Sequence, residues 1–115
     1  EKIILGGFSQ GACLTSEFAA RNAKRYGGLL IFSGGLIGPQ NTARNYTGTF
    51  SNMPLFLGCG NADRHIPEGR VHESAEVFKK MGAQVVKTIY PDMGHTIIGD
   101  EIKQAKTIVQ AVARE

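Results

Sequence analysis

Four short apolar runs, each closed by glycine or cut off by proline, set the strongest limit on what this chain can fold into. They are Lys2–Phe8, Leu29–Phe32, Pro54–Leu57 and Ala83–Tyr90. The first three show no alternation of apolar and polar residues. Such runs suit strands buried on both faces, as in a parallel sheet. Between them lie segments of helical character. Gln10 to Arg25 is rich in good helix formers, and its small residues Ala12, Thr15, Ser16, Ala19, Ala20 and Ala23 let a helix pack close to a sheet. Gly27-Gly28 reads as its C-cap. Pro67 and Glu68 read as a second helix start, with proline at the first helical position. Val71, Ala75, Phe78 and Met81 then fall on one helical face, and Gly82 ends it. A last helix begins near Asp100, the expected N-cap, with Ile102, Ala105, Val109 and Val112 on one side. Residues 36–53 have no period and read as loop, and long loops often border sites. The order strand, helix, strand, loop, strand, helix, strand, helix predicts an α/β fold. About four mostly parallel strands would be flanked by helices through right-handed crossovers.

The chain has 115 residues, which is one domain or part of one, and neither repeat nor linker interrupts it. At 42% hydrophobic residues it is too apolar for global disorder. No apolar run approaches the roughly 20 residues that span a bilayer, so no integral membrane segment is expected. Glu1-Lys2 leads into too short an apolar stretch for a signal peptide. Cys13 and Cys59 form neither a disulfide framework nor a metal-ligand spacing. Reduced thiols in a cytoplasmic protein, with no metal and no cofactor, are the simplest expectation. A net charge of +3 from scattered basic residues does not point to nucleic acid. The 15 glycines gather where apolar runs end, at Gly6-Gly7, Gly34-Gly35, Gly58 with Gly60, and Gly94, which predicts tight, crowded turns.

Open parallel sheets carry their chemistry beyond the carboxyl ends of the strands. After the first run stands Gly7-Phe8-Ser9-Gln10-Gly11, a G-x-S-x-G between strand and helix. A nucleophilic serine at such an elbow sits in strained backbone with its oxygen pushed out over the sheet. Gly7 and Gly11 are expected where side chains would come too close. The Gln10 N–H, at a helix start, would offer a donor to an oxyanion. After the third run comes Gly58-Cys-Gly-Asn-Ala-Asp63, where Asp63 could orient an imidazole. After the fourth comes Tyr90-Pro-Asp-Met-Gly-His95, which makes His95 the natural base.

The rivals are weaker. Asp92 reads as a turn former, His72 lies within a helix, and His65 beside Asp63 suits a pocket rim better than a base. Gly58 and Gly60 lack the third glycine of a dinucleotide loop, and Asp63 stands where that glycine would be. Neither cysteine occupies the elbow, which weakens a thiol nucleophile. Ser9, Asp63 and His95 therefore follow three different strands in the order Ser, Asp, His.

On Gly7–Gly11, Phe32-Ser-Gly-Gly-Leu-Ile-Gly38, Gly58–Asp63 with Pro67, and Tyr90–His95, the chain resembles the phospholipase/carboxylesterase family of α/β-hydrolases, which includes acyl-protein thioesterases and lysophospholipases. The resemblance implies Ser9 as nucleophile, Asp63 as orienting acid and His95 as general base. It also implies a small-molecule ester or thioester substrate and no cofactor. Family members are about twice as long, so residues 1–115 correspond to a partial domain, the C-terminal half of the fold. The N-terminal strands and an H-G-type loop, source of a second oxyanion donor, would be absent; one lost donor costs about a hundred- to a thousand-fold in rate. The first strand would then become an open apolar edge, and such edges recruit partners. Two functions follow. One is a serine hydrolase of carboxylic esters or thioesters; the other is a catalytically incomplete half-domain that assembles through its first strand, with another copy or a missing half. Leu36, Ile37 and Phe50 offer an apolar wall for a substrate pocket with His65 at its rim, although core packing is the blander account of those three residues. Asn45-Tyr46-Thr47 matches a glycosylation sequon, which carries little weight without a secretory signal.

Overall fold

In the computed structural model, which describes residues 3–38 and 44–114, the four apolar runs become four strands of one parallel sheet. The elements are β1 (Ile4–Phe8), α1 (Gln10–Arg21), β2 (Gly28–Phe32), β3 (Pro54–Gly60), α2 (Glu68–Lys80), β4 (Gln84–Tyr90) and α3 (Gly99–Ala113). The strand order is β1-β2-β3-β4, and every neighbouring pair is parallel. Each strand is therefore laid beside the one before it. Parallel neighbours need a crossover, and α1, the 33–53 segment and α2 supply the three.

Side chains alternate between the two faces of the sheet. One face presents Leu29, Ile31, Leu55, Leu57 and Cys59, all fully buried in the main core under α1 and α2. The predicted face of α2 (Val71, Ala75, Phe78 and Met81) is buried there, and Phe50 packs on Phe78 at 5.8 Å between ring centroids. The other face carries α3 against β2 and β3. Gly28 makes room for it, since a Cβ there would stand 2.7 Å from Ile108 Cγ2.

Several local expectations are corrected. β1 lies at the open apolar edge that the family resemblance implies, and so is not buried on both faces as its unbroken apolar run suggests: Phe8 is 40% exposed, with Ile3 beside it at 55%. α1 stops at Arg21, because Asn22 caps it, its Nδ2 donating to the Phe18 carbonyl at 2.9 Å. Gly27 and Gly28 instead lead into β2, where the Gly27 N–H donates to the Ile3 carbonyl. β3 runs on through Gly60, because Gly58, Cys59 and Gly60 still pair with β4. Pro67 is the N-cap of α2, so the helix begins at Glu68, one residue later than expected. The N-cap of α3 is Ile98, not Asp100, which instead accepts a 2.6 Å hydrogen bond from the Tyr90 hydroxyl. The inward face of α3 is also rotated. Glu101 and Val112 are buried, while Ile102 and Val109 are each 44% exposed. Gly11 and Gly94 have open space where a side chain would go, so the crowding expected there is absent.

Glu101 is the unusual member of this core. Its side chain has no exposed surface; Oε1 accepts the Ile98 N–H at 3.1 Å, and Oε2 has no hydrogen-bond partner among the described residues. Gly58 is glycine because a Cβ would collide with Oε2. Burial pushes the Glu101 carboxyl above its ordinary value, aided by the Asp100 charge and opposed by the Ile98 N–H. A carboxyl raised in the folded state favours folding only where it is protonated, so that contribution is lost as pH rises through its folded value. Glu101→Gln keeps the Ile98 acceptor and removes the ionisation cost. Its urea midpoint should exceed that of the wild type at pH 7, and the gain should shrink as pH falls through the carboxylate range.

Candidate active site

The end of β1 and the start of α1 meet at Ser9, whose backbone (φ 60°, ψ −122°) is one that side chains other than glycine's rarely adopt. The sheet holds it there: the Ser9 N–H donates to the Phe32 carbonyl of β2 at 3.0 Å, and the Ser9 carbonyl accepts from Cys13 in the first turn of α1. The tight reversal explains Gly7, because a Cβ would lie 2.5 Å from the Gly11 carbonyl group. It does not explain Gly11 in the same way. The backbone of Gly11, not its missing side chain, fills the space at Gly7.

Asp63 follows β3 in a turn that it organises itself. Oδ1 accepts the N–H groups of His65 (2.8 Å) and Ile66 (3.0 Å), leaving Oδ2 for a side chain. His95 follows β4 on a loop fastened at several points. Asp92 takes a left-handed turn conformation (φ 58°) and donates its N–H to Asn61 Oδ1. The Ala62 N–H donates to the Met93 carbonyl at 3.0 Å. Gly60 allows this close approach, since a Cβ would strike the Met93 carbonyl. The buried Ser33 hydroxyl at the end of β2 donates to the Thr96 carbonyl at 3.1 Å.

These loops bring the three predicted side chains into one line. Ser9 Oγ lies 2.6 Å from His95 Nε2, and His95 Nδ1 lies 2.7 Å from Asp63 Oδ2. The Asp63 side chain is fully buried and that of His95 is 19% exposed. The imidazole packs against the rings of Phe8 (5.0 Å between centroids) and His65 (4.6 Å). Burial pushes the Asp63 carboxyl up, but the hydrogen bonds from His95, His65 and Ile66 and the charge of His95 outweigh it, so it stays ionised below its ordinary value. A carboxylate lowered on folding adds stability above its unfolded value, and loses it as pH falls through the folded one. A hydroxyl, an imidazole and a buried carboxylate in this order can pass the hydroxyl proton to Nε2 while Nδ1–H stays fixed.

A hollow of about 370 Å³ opens beside Ser9. Gln10, the first residue of α1, lines it, and a first-turn amide has no partner within its own helix. Ile37 forms one wall, as expected. Leu36 does not: it is fully buried in the main core, because its N–H donates to Ser74 Oγ and pulls the backbone inward. Phe50 is core as well. His65 is outside the walls of the hollow and packs against His95 in a tilted contact. His72 is occupied on α2 by Glu68 and Lys87.

The sequence pattern does not mark Cys13, Leu14, Ile66 and Arg70 as walls of the hollow, nor Glu17, which bonds the Ile37 amide. Glu17, on the inner face of α1, accepts the Ile37 N–H at 2.9 Å and bonds Tyr46, Arg44 and Arg21. It thereby fixes the wall that Ile37 forms. Its phase between the buried Ser16 and Ala20 was the available signal. A larger hollow of about 580 Å³ beside Arg44, Tyr46 and Lys80 contains none of the three aligned side chains. Among the described residues no group of three or more His, Cys, Asp or Glu could hold a metal ion.

Residues 1–113 match the profile of the family described as phospholipase/carboxylesterase. This chain belongs to that family. It is 30% identical to acyl-protein thioesterase 1 of Gibberella zeae over 96% of its own length and 48% of that protein. Against acyl-protein thioesterase 1 of Saccharomyces cerevisiae the identity is 27%, over 96% of this chain and 49% of the other. The crystal structure of a phospholipase/carboxylesterase from Dyadobacter fermentans superposes with a TM-score of 0.88 at 46% identity, covering 94% of this chain and 52% of that one. The chain thus spans about half the length of the relatives it matches, and its sheet is part of an α/β-hydrolase fold. None of the described helices is long and apolar enough to cross a membrane.

Cys59, one turn before Asp63, is fully buried, and its thiol faces Asp63 Oδ2 at 3.7 Å. Burial first, then the charge and hydrogen bond of Asp63, push that thiol up to about 12. The thiolate is the reactive form. Iodoacetamide at pH 8 should therefore leave Cys59 unmodified in folded protein and alkylate it after denaturation, which peptide mass spectrometry can read.

Proposed function

We propose that this chain is the C-terminal, proton-transferring part of a serine hydrolase that cleaves carboxylic esters or thioesters. The observation that carries the reading is the unbroken line from a strained Ser9 through His95 to Asp63, with separations of 2.6 and 2.7 Å. The names of its relatives, acyl-protein thioesterase and carboxylesterase, support the substrate class.

In this mechanism Ser9 Oγ attacks the carbonyl carbon while its proton moves to His95 Nε2. Asp63 stabilises the imidazolium and holds the tautomer. The Gln10 N–H, at the positive end of α1, stabilises the oxyanion. The tetrahedral adduct collapses, His95 returns the proton to the departing alcohol or thiol, and Ser9 is left acylated. Water, deprotonated by His95, then releases the acid and restores Ser9. No cofactor is required at any step.

A fluorophosphonate probe tests this reading. It should label the wild-type chain and not Ser9→Ala, and Asp63→Asn should slow labelling by about a thousandfold or more. Well-folded wild-type protein that takes no label would sink the proposal.

One observation favours a second reading, that of a half-domain which acts by assembly. Leu14 and Phe18 on α1 are 58% and 54% exposed, next to the open apolar edge of β1. Soluble proteins seldom leave such a patch uncovered. On this reading, light scattering should find self-associated or partner-bound protein, and Leu14→Glu with Phe18→Glu should return it to monomer. A wild-type chain that is monomeric throughout the micromolar range would remove it.

A further inference from the structure

We propose that Arg70 makes the hollow beside Ser9 an anion subsite, so that the preferred substrates carry a carboxylate or a phosphate on the acyl or leaving group. The inference rests on the hydrolase reading and narrows its substrate class.

Arg70 stands in the first turn of α2, its N–H donating to the Pro67 carbonyl at 3.0 Å. Its stem passes over the loop after β2: a Cβ on Gly35 would be 3.5 Å from Arg70 Cγ. From there it reaches the hollow shared with Ser9 and Gln10, where it is the single charged residue among the lining ones. The remaining walls (Cys13, Leu14, Ile37 and Ile66) are apolar or neutral.

The neighbouring acids are committed elsewhere. Glu17 is held by Arg21, Arg44 and Tyr46, Asp63 by His95 and two amides, Glu68 by His72, and Glu73 lies 3.5 Å from Arg44. Among the described residues the Arg70 guanidinium has no hydrogen-bond or ion-pair partner. Arg21 and Arg44, by contrast, are both paired. A guanidinium beside an apolar wall suits bidentate recognition of a carboxylate or phosphate. The start of α1, at Gln10, adds a positive dipole end to the same hollow.

Two matched substrate pairs test this with the full chain. On the acyl side, mono-4-nitrophenyl glutarate is compared with 4-nitrophenyl pentanoate. On the leaving-group side, 1-butyrylglycerol 3-phosphate is compared with 1-butyrylglycerol. Arg70→Gln should lower kcat/KM for the anionic member of at least one pair by about tenfold or more, with the neutral member nearly unchanged, and Arg70→Lys should restore part of the loss. The affected pair tells which side of the substrate bears the anion. Equal effects on both members of both pairs would overturn the subsite. Absence of all turnover would count against the hydrolase reading alone, so binding is measured separately. Titration with glutarate and with inorganic phosphate should give saturable amide NMR shifts at Gln10, Leu14 and Ile37 that disappear in Arg70→Gln. Wild-type protein showing no saturable shift with either anion would overturn the subsite whatever its activity.

Discussion

The site depends on hydrogen bonds that continue the sheet beyond the ends of its strands. The Ser9 N–H reaches the Phe32 carbonyl, the Ser33 N–H reaches that of Gly58, and the Asn61 N–H reaches that of Tyr90. Each bond joins the residue after one strand to a carbonyl at or near the end of the next, so three loops that are distant in sequence are fixed against one another. The parallel register makes this possible, because all four strands end at the same rim. Two small-residue devices reinforce it. Gly60 admits the Met93 backbone, and the Ser33 hydroxyl fastens Thr96. Proton transfer requires reacting atoms within hydrogen-bond reach. Here that tolerance is met by backbone bonds, not by the conformational choices of long side chains.

A second level of support lies on the opposite side of the hollow. Glu17 is a nearly buried acid that gathers Arg21, Arg44, Tyr46 and the Ile37 amide. Burial alone would push its carboxyl up, yet hydrogen bonds from Arg21, Tyr46 and the Ile37 amide, with the charge of Arg21, keep it ionised, below its ordinary value. Ionic groups removed from water are costly unless fully partnered. The cluster is therefore better understood as a fastening for Ile37, Arg44 and Tyr46 than as a source of net stability. Ile37 owes its place in the hollow to that fastening, while Leu36, one residue earlier, turns into the core.

Much of this was legible in the sequence because the signals are local. Uninterrupted apolar runs marked the strands, and chemical residues immediately beyond Phe8, Gly60 and Tyr90 marked the rim. The spacing of Val71, Ala75, Phe78 and Met81 identified the inner face of α2. What escaped depends on neighbours that are remote along the chain. Whether Leu36 or Ile37 faces the hollow is decided by Ser74 and Glu17, which are 38 and 20 residues away. The inner face of α3 passes through Glu101, a charged residue that pattern reading assigns to solvent. α1 stops early because Asn22 can bond back to Phe18, a local option that Arg and Lys beyond it conceal. Arg70 gave no signal at all, since nothing around it distinguishes it from a surface arginine.

The torsion angles at Ser9 have a consequence of their own. A side chain with φ near 60° and ψ near −122° is held in place against its own preference, and such strain amounts to roughly 1–3 kcal/mol. Glycine would relieve most of it, so a population of variants screened only for survival on heating should discard the hydroxyl at this position early. Durability and chemistry pull against each other at a single residue, and a heat-hardened descendant of this chain would be the one to check first for lost reactivity.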